Sequence, residues 1–129
     1  MYLRIEQGND ARSVLITLKT RVAPLGGHKI PRLELLGALI LARLISRVAA
    51  ALSEVVKIDR FHCWADSTAV LYWILGKQKQ WKQFVQNRVM DIKRLVGPTS
   101  WSYCPSDMNP ADLPSRGMNA FNLSASDEW

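Results

Sequence analysis

Residues 60–76 read RFHCWADSTAVLYWILG, and the fold is decided here. Phe61, Cys63 and Ala65 alternate with His62 and Trp64, the period-2 pattern of a strand. Asp66 ends the alternation. Ser67 and Thr68 follow, both suited to cap a helix, and an apolar helical run then leads to Gly76. Asp66 is therefore expected at the carboxyl end of a strand, where a helix begins. In open α/β sheets, ligands bind at that edge. A carboxylate there does nothing for the core. Either it caps the helix or tops a solvated loop, or it belongs to a site, and its position alone leaves the two readings level.

Upstream, residues 31–52 (PRLELLGALILARLISRVAAAL) predict the longest helix, with Pro31 in its first turn. At about 100° per residue, Arg32, Arg43, Ser46, Arg47 and Glu54 fall opposite Glu34, which shares the core face with Gly37, Leu41 and Ile45. A carboxylate on an apolar face is costly unless something pairs with it. The alternative is that Glu34 looks out at the helix end and favours the dipole. Before this helix, residues 1–7 and 13–23 read as the strands of a hairpin turning at Gly8-Asn9-Asp10, ended by Pro24, Gly26 and Gly27.

Downstream, residues 53–59 are a polar linker. Residues 81–96 form an amphipathic helix stopped by Gly97-Pro98, with Trp81 and Phe84 expected in the core. Lys77, Lys79, Lys82, Arg88, Lys93 and Arg94 gather around it, either as phosphate contacts or as an ordinary solvated face. Residues 100–104 read as a last strand. Asn109 and Pro110 then suit the N-cap and first position of a short helix, with Asp112 in its first turn, and residues 118–129 read as a loosely ordered tail.

At 129 residues the chain is one domain at most, and a 48% hydrophobic content suffices for a packed core. A net charge of +6 and a pI of about 9.7 suit a polyanionic partner. Cys63 and Cys104 form no CxxC pair and read as buried thiols in a reducing compartment. Neither a signal peptide nor a membrane span is expected, because the longest uncharged apolar run in the main helix, Leu35 to Ala42, falls short of the ~18 residues a span needs. An intracellular location, in cytoplasm or nucleus, follows as the expectation. His28 and His62 read as surface or packing residues.

Three acids thus have related settings: Glu34 opens a helix, Asp66 ends a strand and Asp112 opens a helix after the next strand. Clustered carboxylates repel one another unless a cation is present, and hard oxygen ligands favour Mg²⁺ or Mn²⁺. Two such ions are a standard means of cutting phosphodiesters.

Over residues 20–117, the segments IPRLELLGALILARL, WADSTAVLYWI, WKQFVQNRVMDIKRL and CPSDMNPADLPSRG occur in an order and spacing that resemble the ribonuclease H-like region of BEL/Pao-type retrotransposon polyproteins. The resemblance implies a mixed sheet with helices on both faces and hydrolysis of the RNA strand of an RNA–DNA hybrid during reverse transcription, with Mg²⁺ or Mn²⁺. It implies that Glu34, Asp66 and Asp112 match the second, third and fourth metal-binding acids. It also implies neighbouring polyprotein domains such as reverse transcriptase as partners, and no membrane. Lys77, Lys79, Lys82, Arg88 and Arg116 are the expected nucleic-acid contacts. The chain departs from the family in opening at what looks like the second strand. The first, central strand and its Asp are lacking, and Asp10 is a poor substitute. Ser106 or Asp107 only approximates the polar residue expected before the last acid. Residues 1–117 are therefore expected to be a truncated domain with impaired activity, and either marginal stability or an aggregation-prone open edge. The alternative is a non-catalytic nucleic-acid-binding remnant.

Overall fold

The computed structural model describes residues 1–23, 26, 29–77 and 80–112. The chain divides into two units, Met1–Val22 with the residues from Asn109 on, and Ala23–Met108.

In the first unit, β1 (Tyr2–Gln7) and β2 (Asp10–Leu15) pair antiparallel, with Gln7 opposite Asp10 and Tyr2 opposite Leu15. This register leaves Gly8-Asn9 as a two-residue loop. Gly8 has φ 62°, the left-handed value that glycine adopts freely and that a type II′ hairpin requires at its first loop position. The expected second strand, residues 13–23, is corrected to Asp10–Leu15. The tight turn starts pairing at Asp10, and beyond Leu15 only the Met1 carbonyl remains to accept, from the Ile16 and Thr17 N–H groups at 3.0 and 3.4 Å. Ile5, Val14 and Leu15 are exposed, so the alternation in this segment does not mark a buried face.

The second unit is built on α1 (Ile30–Leu52), which carries Pro31 in its first turn. Leu35, Ala38, Leu39, Ala42 and Ile45 form its buried stripe. At about 100° per residue this stripe is centred roughly a quarter-turn round from Glu34. Glu34 is accordingly half-buried at the edge of the stripe and Gly37 is exposed, which corrects the expectation that both lie on the core face. By length and composition α1 would also serve to cross a membrane. Here its apolar stripe packs on α2 (Thr68–Leu75) and α3 (Gln83–Leu95). Arg32 lies over the Phe84 ring, 4.9 Å from its centroid, and further along Arg43 Nη2 reaches Asp91 Oδ2 at 3.4 Å. The two contacts make α1 and α3 run side by side in the same direction.

β3 (Cys63–Ala65) pairs parallel with β4 (Trp101–Tyr103), and the Cys104 N–H extends the ladder to the Ala65 carbonyl at 3.0 Å. Parallel neighbours need a long crossover, supplied here by α2 and α3. Among the described residues the strands thus form two two-stranded sheets, one antiparallel and one parallel, in a mixed α/β architecture. Leu35, Ile74, Ile92, Val70, Val96 and Cys63 are fully buried at the centre of this unit. Each large aliphatic among them contributes about 1.5–3 kcal/mol. Trp81 meets Tyr72 and Trp73 edge-on, with centroids 5.6 and 6.4 Å apart.

Gly76 closes α2 as expected, although not in the left-handed conformation: its φ is −63° and its ψ 144°. Space is what requires glycine here. The Gly76 N–H donates to the Tyr72 carbonyl at 2.9 Å, and a Cβ would collide with that same oxygen. Gly76→Ala should therefore destabilise the chain by about 1–3 kcal/mol, read as a lower urea midpoint, whereas alanine at exposed Gly37, where a Cβ meets nothing, should stabilise or leave the midpoint unchanged.

Candidate functional site

The site grows from the end of β3. Asp66 is the first residue beyond the strand and Ser67 is the N-cap of α2, with its backbone extended (φ −91°, ψ 107°). The Ser67 Oγ accepts from the Val70 N–H at 3.3 Å, satisfying one of the open donors of the helix start. The same hydroxyl donates to Glu34 Oε2 at 2.6 Å. The carboxylate of α1 is thereby attached to the residue next to Asp66. Asp66 in turn accepts at Oδ2 from Ser106 Oγ at 3.4 Å, in an exposed position on the loop after β4. Two acids and two serine hydroxyls therefore meet at the carboxyl end of the parallel pair.

Asp66 is thus not the residue that caps α2, since Ser67 does so. From sequence Ser67 reads as a cap alone, and its contact with Glu34 emerges only in the structure. Ser106, expected only to approximate a polar residue of this loop, does reach Asp66.

Asp112 belongs to the other unit. Its local setting is a helical start, where the Asn109 Oδ1 accepts from the Ala111 N–H at 3.1 Å and the Asn109 carbonyl accepts from the Asp112 N–H at 3.0 Å. Among the described residues, no group of three or more His, Cys, Asp or Glu side chains is placed to hold a metal ion. Glu34 and Asp66, each accepting from a serine hydroxyl, are the hard-oxygen groups that could serve a cation at this edge. Such groups fit a Mg²⁺-like ion that is held through one or two carboxylates and keeps several waters.

Of the expected nucleic-acid contacts, Lys77 and Lys82 are exposed, and Lys79 and Arg116 lie outside the described residues, as do His28 and the tail 118–129. Arg88 is half-buried. Its guanidinium lies over the Phe84 ring, 3.6 Å from the centroid, and its Nη1 donates to the Phe84 carbonyl at 3.0 Å. Lys93 Nζ donates to the Gly76 carbonyl at 3.1 Å, and Arg94 pairs with Asp91 at 3.2 Å. His62 is exposed and stacked on Trp64, with centroids 5.9 Å apart.

A strand that ends in an acid, a helix capped at the next residue and a second acid linked to that cap from a flanking helix are compatible with a ribonuclease H-like α/β module. The chain belongs to the Pao retrotransposon-like RNaseH-like domain family, whose model matches residues 1–67. The matched span includes Glu34, Asp66 and Ser67. No curated protein and no solved structure matches the chain.

Beside this site, Cys63 is buried on β3, and burial pushes its thiol from the ordinary value of 9.0 up to about 11. The folded chain therefore keeps its proton at a pH where the unfolded chain has lost it. Stability should fall as pH rises from about 9 to 11, with no contribution below that window. Denaturation midpoints at either end of the window should show this fall, and it should be smaller in Cys63→Ala. Iodoacetamide should label half-buried Cys104 before Cys63.

Proposed function

We propose that this retrotransposon ribonuclease H-like module binds RNA–DNA hybrid and hydrolyses its RNA strand at the carboxyl end of β3. The observation that carries this reading is the 2.6 Å hydrogen bond from Ser67 to Glu34, which gathers an acid from α1 to the strand end that carries Asp66. When bound there, Mg²⁺ or Mn²⁺ would supply charge stabilisation for an attacking water and a leaving oxygen. Glu34 and Asp66 would be its protein ligands, held by Ser67 and Ser106. Lys77 and Lys82, exposed between α2 and α3, supply favourable charge for a phosphate backbone. Arg88 takes part less directly, since its guanidinium is spent on Phe84. Loss of a ligand from a two-ion site costs orders of magnitude in rate. A site served by Glu34 and Asp66 without a clustered third acid should therefore cut slowly.

A second reading, a module that holds nucleic acid without cutting, is favoured by one observation: no three-ligand group is found among the described residues. One assay separates the two. The 129-residue chain is incubated with labelled hybrid in Mg²⁺ and in Mn²⁺, and its binding is followed over a salt series. On the first reading, slow RNA-strand cleavage appears and Asp66→Asn abolishes it. On the second, cleavage is absent while affinity falls with salt, and Lys77→Ala with Lys82→Ala lowers the slope of log K against log salt by about two. Cleavage that survives Asp66→Asn would remove the proposed site.

A further inference from the structure

We infer that Ser67 is a positioning residue, whose hydroxyl aims the Glu34 carboxylate at a divalent cation beside Asp66. The inference rests on reading Glu34 and Asp66 as cation ligands. A helix cap alone needs only an acceptor, and the Val70 N–H already uses that side of the Ser67 oxygen. The hydroxyl proton goes elsewhere, to Glu34 Oε2 at 2.6 Å, within the short range of a hydroxyl donating to a carboxylate. Ser67 is only 8% exposed, so its proton has little access to water and the bond is held in place by packing.

The choice of partner is informative. The chain has 17 lysines and arginines, and two of its acids draw on them: Glu6 pairs with Arg4, and Asp91 with both Arg43 and Arg94. Glu34 forms no such pair among the described residues, although it lies half-buried at the edge of the core stripe. A neutral hydroxyl fixes the carboxylate without cancelling its charge. That arrangement suits a group whose charge is meant for a ligand, and outer hydrogen bonds of this kind orient metal-binding carboxylates. Asp66 has a weaker counterpart in Ser106, exposed and at 3.4 Å.

The test is Mn²⁺ titration of the 129-residue chain by calorimetry and by loss of the free-ion paramagnetic signal. Glycine is tolerated at an N-cap almost as well as serine, so Ser67→Gly removes the donor while α2, followed by circular dichroism and thermal melting, persists. Ser67→Gly should weaken Mn²⁺ binding by about ten- to a hundred-fold. Ser67→Thr should restore it, and Ser106→Ala should change it little. Adding Ser67→Gly to Glu34→Gln should produce no further loss, because Ser67 acts through Glu34. If Ser67→Gly binds like the parent while Glu34→Gln does not, the positioning role is overturned and the cation site stands. If the parent chain binds no Mn²⁺, or binds it equally after Glu34→Gln and Asp66→Asn, the cation reading itself fails and the role of Ser67 falls with it.

Discussion

A single hydroxyl ties together the parts of the larger unit that matter for chemistry. Ser67 follows the strand-end Asp66, begins α2 by accepting from Val70, and donates to Glu34 on α1. Each of these needs would be costly to leave unmet: an open N–H at a buried helix start, and a half-buried carboxylate without a donor. Serving both with one oxygen fixes the start of α1 against the edge of the parallel pair. The remainder of α1 then follows from its apolar stripe, which packs against α2 and α3.

Charge is distributed along the same lines. The chain has a net charge of +6, yet much of its positive charge near α3 is committed to structure. Arg32 and Arg88 lie over Phe84, Arg43 and Arg94 share Asp91, and Lys93 holds the Gly76 carbonyl. Of these contacts, those of Arg32 and Arg43 join α3 to α1, and that of Lys93 joins it to the end of α2. The basic surface around α3 is therefore smaller than a count of lysines and arginines suggests, and exposed Lys77 and Lys82 carry more of any attraction to a polyanion.

What could be read from the sequence follows the range of the interactions involved. Strand, acid, cap and helix at residues 63–75 were legible because each is decided within a few neighbours: alternation, a capping serine and an apolar run. The Asn109 cap was legible for the same reason. The bounds of β2 were not, because its length is set by where β1 runs out of partners rather than by its own alternation. The face of α1 was misread by about a quarter-turn, because the burial stripe is fixed by α2 and α3 and periodicity gives only its width. The link from Ser67 to Glu34 spans 33 residues, and no local pattern encodes it. Both acids could be singled out from their local settings. That they share one serine could be seen only in three dimensions.

The rigidity of the candidate site must come from helices more than from strands. β3 and β4 are three residues each, too short to hold an edge by their ladder alone. Cys63 and Trp101, paired across that ladder, are both buried, so the strands are held by what packs on them. Ser67 is placed by α2, whose own position depends on Val70, Leu71 and Ile74 against the α1 stripe. An interior truncation such as Ile74→Ala would thus disturb the Glu34–Ser67 contact as well as stability, whereas a change on the exposed Tyr72 side of the same helix would leave the contact where it is. The placement of Glu34 beside Ser67 is in this sense a property of the α1–α2 interface, and the strand contributes chiefly the place where Asp66 emerges.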